Sequence, residues 1–416
     1  MFLSEKKNTR GQNQNDIRLK NRNLVYQSIY NAPGISRVEI SKNLGLEPST
    51  ITNIIKSFID QEIVYEEDFH KSSGGRPPLG LQIAWDKAYI IGVYISRQWI
   101  SFRITNLSLK GGKTVTENNL SLSNDAQKAI DYVSDRILKL INEFNIPKEQ
   151  VVGVGLCAPG PLNTRKGQFT YVPNFEGWKD VPVRSLIEDK IGIPTKLDKD
   201  SYAAALAENM YGAGKKMNEF AFFLVDSGVG CGIVLNNELY HGYQDMSGEI
   251  GHSSINFNGP QCDCGNYGCL ELYATPKRKV EIVKEMIRNN EESIIQDWID
   301  GDVENITFDD IVKAAYKNDP LSLDILKDMG EALAVGITNM MHILDPEAFI
   351  IGGLVTKAGD LLLDMINKEV DDRCLAKDKR KTKIIFSELG EDAPMIGAQG
   401  IVLQEIFKNP ELYLCT

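Results

Sequence analysis

The tightest constraint on this chain lies in eighteen residues, where His252, Cys262, Cys264 and Cys269 stand together with Gly265 and Gly268 among them. One imidazole and three thiolates close a tetrahedral shell, and soft sulfur ligands select zinc over calcium or magnesium. Protein supplies all four positions, so none is left for an activated water. The spacing therefore predicts one structural Zn²⁺ per chain, in a knuckle over residues 252–269. Free thiols and an iron–sulfur cluster are the other readings of such a cluster, and the histidine argues against the second. Cys157, Cys231, Cys374 and Cys415 are scattered, and an odd total of seven does not make a disulfide framework.

Charge is divided along the chain. Residues 1–60 hold nine Lys and Arg against five acids, a net of +4, and the total of −11 leaves the remainder at −15. A basic head on an acidic body points to nucleic acid at the head alone. Residues 1–20 are polar and rich in Asn and Gln, and are expected to be a flexible arm. No apolar run approaches the roughly 20 residues of a membrane span, and the polar first residues do not read as a leader. A cytoplasmic protein with no membrane partner is the expectation.

Residues 21–70 predict a winged helix-turn-helix. Leu24, Val25, Ser28 and Ile29 share one helical face, which Pro33-Gly34 ends. Ser36 and Glu39 form a capping box that opens a second helix, ending at Gly45. Pro48 stands in the first turn of a third, whose Ile51, Ile54, Ile55, Phe58 and Ile59 make a core-facing stripe. On the opposite face Ser49, Thr50, Thr52, Asn53 and Lys56, with Arg37 before them, are candidate contacts to double-stranded DNA. Residues 62–70 read as a strand and Gln82-Ile83 as the start of another. The wing and linker, residues 71–84, carry Arg76 in Gly-Arg-Pro, suited to a narrow minor groove. A polar-faced bundle and a plain hinge are the blander readings of these segments.

From about residue 85 the pattern becomes α/β. Strands are expected at 89–93, 99–104, 151–156, 220–225, 232–235 and 348–351, and helices at 125–144, 201–214, 276–289 and 321–343. Two α/β lobes with a cleft between them, over residues 85–416, fit this order.

The run SGEIGH (247–252) followed by CDCGNYGCLE (262–271) resembles the signature of the ROK family of sugar kinases and sugar-responsive repressors. GVGLCAPGPLN (153–163), VPNFEGW (172–178), DSYAAALAE (200–208), LDPEAFIIGG (344–353) and MIGAQG (395–400) agree with it. The resemblance spans roughly residues 20–410. The head followed by SSGGRPPL matches the repressor branch, and most closely its xylose-repressor-like members. It implies a two-lobed, actin-like (ribonuclease-H-like) sugar-kinase fold behind the winged helix, a multidomain α+β chain. It also puts Asn174, Asp200, Glu249, His252 and Glu271 at sugar-contacting positions, with Gly160 lining the same cleft. The chemistry suits a ring of hydroxyls, because carboxylates accept from them and an amide both donates and accepts. A metal on one nitrogen of His252 would orient the ring toward a hydroxyl.

Two departures shape the functional expectation. Residues 94–98, Tyr-Ile-Ser-Arg-Gln, stand where the family's kinases have an Asp-x-Gly-Gly-Thr phosphate turn, while the second turn survives in part as Asp226-Ser-Gly228-Val-Gly230-Cys-Gly232. Bulky side chains obstruct the close approach of backbone N–H groups to phosphate. Lys199 stands where the family has Asn before Asp200. No kinase activity is expected. The resemblance instead implies a sugar-responsive repressor of carbohydrate genes, a homodimer or tetramer on operator DNA with a monosaccharide effector. Xylose leads, with glucose and N-acetylglucosamine-type sugars behind it. The alternatives are an ATP-dependent sugar kinase with a DNA-binding head, and an activator or regulator that ignores sugar.

Overall fold

A computed structural model describes residues 13–68, 79–96, 99–118, 125–170, 177–299, 301–375 and 377–414. The head comprises helices α1 (Gln14–Asn31), α2 (Arg37–Leu44) and α3 (Pro48–Asp60), then strands β1 (Val64–Asp68) and β2 (Leu79–Ile83). Ser36 caps α2 as expected: its hydroxyl accepts the Glu39 N–H at 3.2 Å, and Glu39 accepts the Ser36 N–H at 2.9 Å. Gly45 ends α2 at φ +65°, a left-handed conformation that favours glycine. Two expectations are corrected. Residues 14–20 belong to α1, because Asn13 and Asp16 form a capping box well before the apolar face begins. Ile83 closes a strand and does not open one: β2 pairs antiparallel with β1, Val64 opposite Ile83, and buries Leu81 and Ile83.

The first lobe runs β3 (Tyr89–Ile95), β4 (Trp99–Asn106), β5 (Lys113–Asn118), α4 (Ala126–Glu143), β6 (Val151–Ala158), β7 (Leu162–Asn163), β8 (Gln168–Phe169), α5 (Val183–Ile191), β9 (Thr195–Lys199) and α6 (Asp200–Tyr211). The second runs β10 (Phe220–Val225), β11 (Val229–Leu235), β12 (Glu238–Leu239), α7 (Glu271–Ala274), α8 (Pro276–Arg288), α9 (Phe308–Ala315), α10 (Pro320–Leu344), β13 (Ala348–Gly352), α11 (Gly359–Arg373), β14 (Lys383–Phe386), α12 (Ala393–Lys408) and α13 (Pro410–Leu414).

The two sheets share one plan. Their orders are β5-β4-β3-β6-β9 and β12-β11-β10-β13-β14. In each, the first three strands meander antiparallel and the last two join in parallel. The parallel centre is covered on both faces, which is why β6 and β13 are buried end to end and read as apolar runs.

Each lobe lends a helix to the other. α6 leaves the first sheet and packs on β10 and β11, while α12 leaves the second and packs on β3 and β6; the two helices also pack on each other. This crossing needs bare backbone. A Cβ on Gly155 would stand 1.7 Å from the Ala398 carbonyl oxygen, and one on Gly397 1.7 Å from that of Ala203.

The head is fastened to the same crossing. Tyr26, Ile29 and Phe58 share one buried cluster with Leu403, Ile406 and Phe407 of α12. The Tyr30 and Phe407 rings meet at 4.9 Å. A fully buried side chain of this kind contributes about 1.5–3 kcal/mol, so the head is seated on the body and not merely tethered. No helix among the described residues is long and apolar enough to cross a membrane.

Candidate functional site

The cleft opens where β9 runs into α6 and the β10–β11 hairpin turns. Gly160, Asp200, Glu249, His252 and Glu271 all line it, joined by Tyr94, Lys199 and Asp226. Asp200 opens α6 and accepts the Ser201 N–H at 2.7 Å. Glu249 and His252 lie on the chain after β12, and Glu271 begins α7. Asn174 and Arg76 lie outside the described residues.

The four metal-ligand candidates converge. One donor atom each from His252, Cys262, Cys264 and Cys269 lies within 4.8 Å of the others. Cys264 and Cys269 sulfurs are 3.6 Å apart, and His252 Nδ1 is 3.8 Å from Cys262 Sγ. A tetrahedron with bonds of about 2.3 Å needs donors roughly 3.8 Å apart. Burial, with Cys264 alongside, pushes the Cys269 thiol up to about 11. A cation would have to displace these protons, which ties metal affinity to pH. The cluster can hold a metal ion. Glu271 touches it directly, its Oε1 accepting from Cys262 Sγ at 3.2 Å and lying 3.4 Å from His252 Nδ1. One carboxylate thus joins the metal cluster to the cleft.

The equivalent hairpin turns of the two lobes differ. Between β3 and β4, Ser96 N–H donates to the Trp99 carbonyl at 2.9 Å and the Trp99 N–H donates to the Ser96 hydroxyl at 2.9 Å. The turn spends these backbone donors on itself, and Tyr94 beside it faces the cleft. Arg97 and Gln98 lie outside the described residues. Between β10 and β11, Asp226, Gly228 and Gly230 line the cleft. Burial, then Asp200 and Glu391, push the Asp226 carboxyl up to about 7 against the pull of Lys357.

Sequence reading did not find the setting of Lys199. Its side chain is 2% exposed and its ammonium lies 2.5 Å from Glu249 Oε1. Tyr202, Ser247, Asp198 and His241 surround this pair; the last two lie in no motif. Tyr202 donates to the Ser247 carbonyl at 2.7 Å, and His241 Nε2 lies 2.9 Å from Asp198. Burial opposes the charge on His241, but Asp198 outweighs it and raises the imidazole above its ordinary range.

On the head, Ser49, Thr52, Asn53 and Lys56 are exposed along α3 and Thr50 is half-buried, opposite the buried stripe. Arg37 is turned elsewhere: its Nε and Nη2 donate to Glu66 of β1 at 3.0 and 2.7 Å. That bond fastens α2 to the β-hairpin. α6 links head and cleft. It starts at Asp200 and ends at Tyr211, whose hydroxyl is 2.7 Å from that of Tyr30 on α1. Tyr30 donates its own proton to the Leu107 carbonyl at 2.8 Å, so Tyr211 is the donor of the pair.

A DNA-binding head on a two-lobed body defines the class, and the comparisons define the lineage. Residues 91–405 match the ROK family and residues 18–65 the winged helix-turn-helix DNA-binding family. The chain belongs to the ROK family. It is 29% identical over 393 residues to a xylose repressor of Caldicellulosiruptor bescii, covering 94% of this chain and 97% of that one. It is 26% identical over 389 residues to the DNA-binding transcriptional repressor Mlc of Escherichia coli K12, covering 92% of each. Among solved structures, a ROK family transcriptional regulator homologous to E. coli Mlc superposes with TM-score 0.82 at 26% identity, over 96% of this chain and 99% of that one. A ROK glucokinase from Streptomyces griseus, in complex with glucose and AMPPNP, superposes with TM-score 0.69 at 26% identity, over 76% of this chain and all of that one.

Proposed function

We propose that the chain is a sugar-responsive transcriptional repressor whose winged helix holds operator DNA until a monosaccharide enters the cleft. The observation that carries this reading is α6, one rigid helix of about 18 Å that begins at Asp200 in the cleft and ends on the head at Tyr30. A sugar that draws the lobes together moves both ends of that helix. It releases DNA only if it binds the low-affinity state better.

Asp200, Glu249 and Glu271 accept from sugar hydroxyls, His252 and Asn174 complete the ring of contacts, and Gly160 admits the ligand to the wall. Zinc on His252, Cys262, Cys264 and Cys269 is structural and fixes the loop that carries His252. Ser49, Thr52, Asn53 and Lys56 meet base edges and phosphates, Arg76 enters the minor groove, and Arg37 positions the wing through Glu66. Two heads of a homodimer read the two halves of a palindrome. D-xylose leads the candidate effectors, a choice supported by the relatives named xylose repressor.

Phosphoryl transfer is not part of this function. The first-lobe turn has no glycine, closes on itself through Ser96 and faces the cleft with Tyr94, so Asp200 lacks a phosphate to work with.

Gel shifts with the intergenic DNA upstream of the gene test the reading, run with and without D-xylose, D-glucose and N-acetyl-D-glucosamine. DNA bound without sugar and released by one of the three is the expected result. Binding that ignores every sugar would remove the induction part.

A further inference from the structure

The surroundings of Lys199 show what its ammonium is doing. A lysine ammonium has three N–H donors. Here one meets Glu249 Oε1 at 2.5 Å and another the Ser247 carbonyl at 3.2 Å. The cation also stands 4.7 Å from the Tyr202 ring centre, within cation–π range. The donors are committed inside the protein, so Lys199 is not poised to receive an anion. Its stem is wedged as well: a Cβ on Gly160 would lie 3.2 Å from both Cδ and Cε of Lys199, and 2.9 Å from Glu249 Oε1. The room left in the cleft is about 50 Å³, far below the roughly 300 Å³ at which ligand pockets begin.

We infer that Lys199 is a built-in competitor for the sugar site, holding the Glu249 carboxylate that a neutral monosaccharide must take. The inference rests on the reading of this cleft as a sugar site. Asn in this place, as in the family pattern, would leave Glu249 open to hydroxyls. Lysine instead supplies a tethered partner at high effective concentration, millimolar or above for a short link. Sugar binds only the fraction of molecules in which the ammonium has let go, and its apparent affinity falls by that fraction. Lys199 thereby sets the sugar level at which the protein responds, without touching DNA and without changing the remaining hydroxyl contacts.

Calorimetric titration of the full-length protein with D-xylose, D-glucose and N-acetyl-D-glucosamine tests this, on wild type, Lys199→Asn and the double variant Lys199→Asn/Glu249→Gln. The expected result is that Lys199→Asn binds at least one of these sugars about tenfold tighter than wild type, and that the double variant loses the gain. A wild type that binds sugar with Lys199→Asn no tighter overturns the competitor and leaves the sugar site standing. Binding by neither protein overturns the sugar site and the competitor together. A gain that survives in the double variant overturns the role of Glu249. If Lys199→Asn does not fold by circular dichroism, Lys199→Gln, with a longer stem and a neutral polar end, is measured against the same outcomes.

Discussion

The two lobes repeat one sheet plan, yet the turn at the mouth of each has gone a different way. In the first, Ser96 and Trp99 bond the backbone to itself and Tyr94 lines the cleft. In the second, Gly228 and Gly230 keep the chain bare, and a carboxyl, Asp226, is buried beside Asp200. Successive free backbone N–H groups at such a turn can cradle an anion. One turn thus presents bare backbone at the cleft, and the other bonds its backbone to itself. The same topology is found in a ROK transcriptional regulator and in a ROK glucokinase.

The largest test of that contrast is enzymatic. With ATP, magnesium and each of several hexoses and pentoses, a coupled assay is expected to record no sugar-dependent ADP release. Turnover that Asp200→Asn abolishes would erase the difference between the turns. Next comes the wall behind the second turn. Cys264→Ser is expected to lose the metal by elemental analysis and to lower the melting temperature by several degrees, since the knuckle carries both His252 and the Glu271 contact. Unchanged metal content would remove Cys264 from the ligand set.

The smallest effect lies in the second turn itself and follows pH. The Asp226 carboxyl sits at about 7 when folded, against about 3.9 in an unfolded chain. Its contribution to stability is complete below about pH 4, where both states are protonated, and is lost as pH rises through 7. Asp226→Asn removes that loss. It is expected to raise the melting temperature by a few degrees at pH 8, with the gain shrinking toward pH 5. A gain that does not change with pH would mean that the turn does not bury an acid. Ser96, its counterpart, has no charge to titrate in this range.

Much of this molecule was legible in its sequence wherever the signal was local. The capping box at Ser36, the apolar stripe of α3 and the strand at 220–225 are set by neighbours a few residues apart, and they stand where expected. The start of α1 was missed because its first turn is polar all round, and only the Asn13 cap marks it. Helix α12 was missed for a different reason. In α12 the periodicity is blurred because buried residues run along most of the helix.

The chain by itself determined the His252–Cys269 cluster, because close spacing along a polymer forces closeness in space. It also determined that residues 94–98 carry no glycine, which is a matter of which residues are present. Sequence could flag Lys199 as a departure but could not say what it does. Glu249 lies 50 residues further along, and the two meet only because β9, Gly160 and the loop after β12 enclose one cleft. The path from that cleft to the head likewise exists only in the folded molecule, where α6 and α12 each cross onto the other lobe's sheet. Contacts between distant segments are decided by packing, and packing belongs to the tertiary structure.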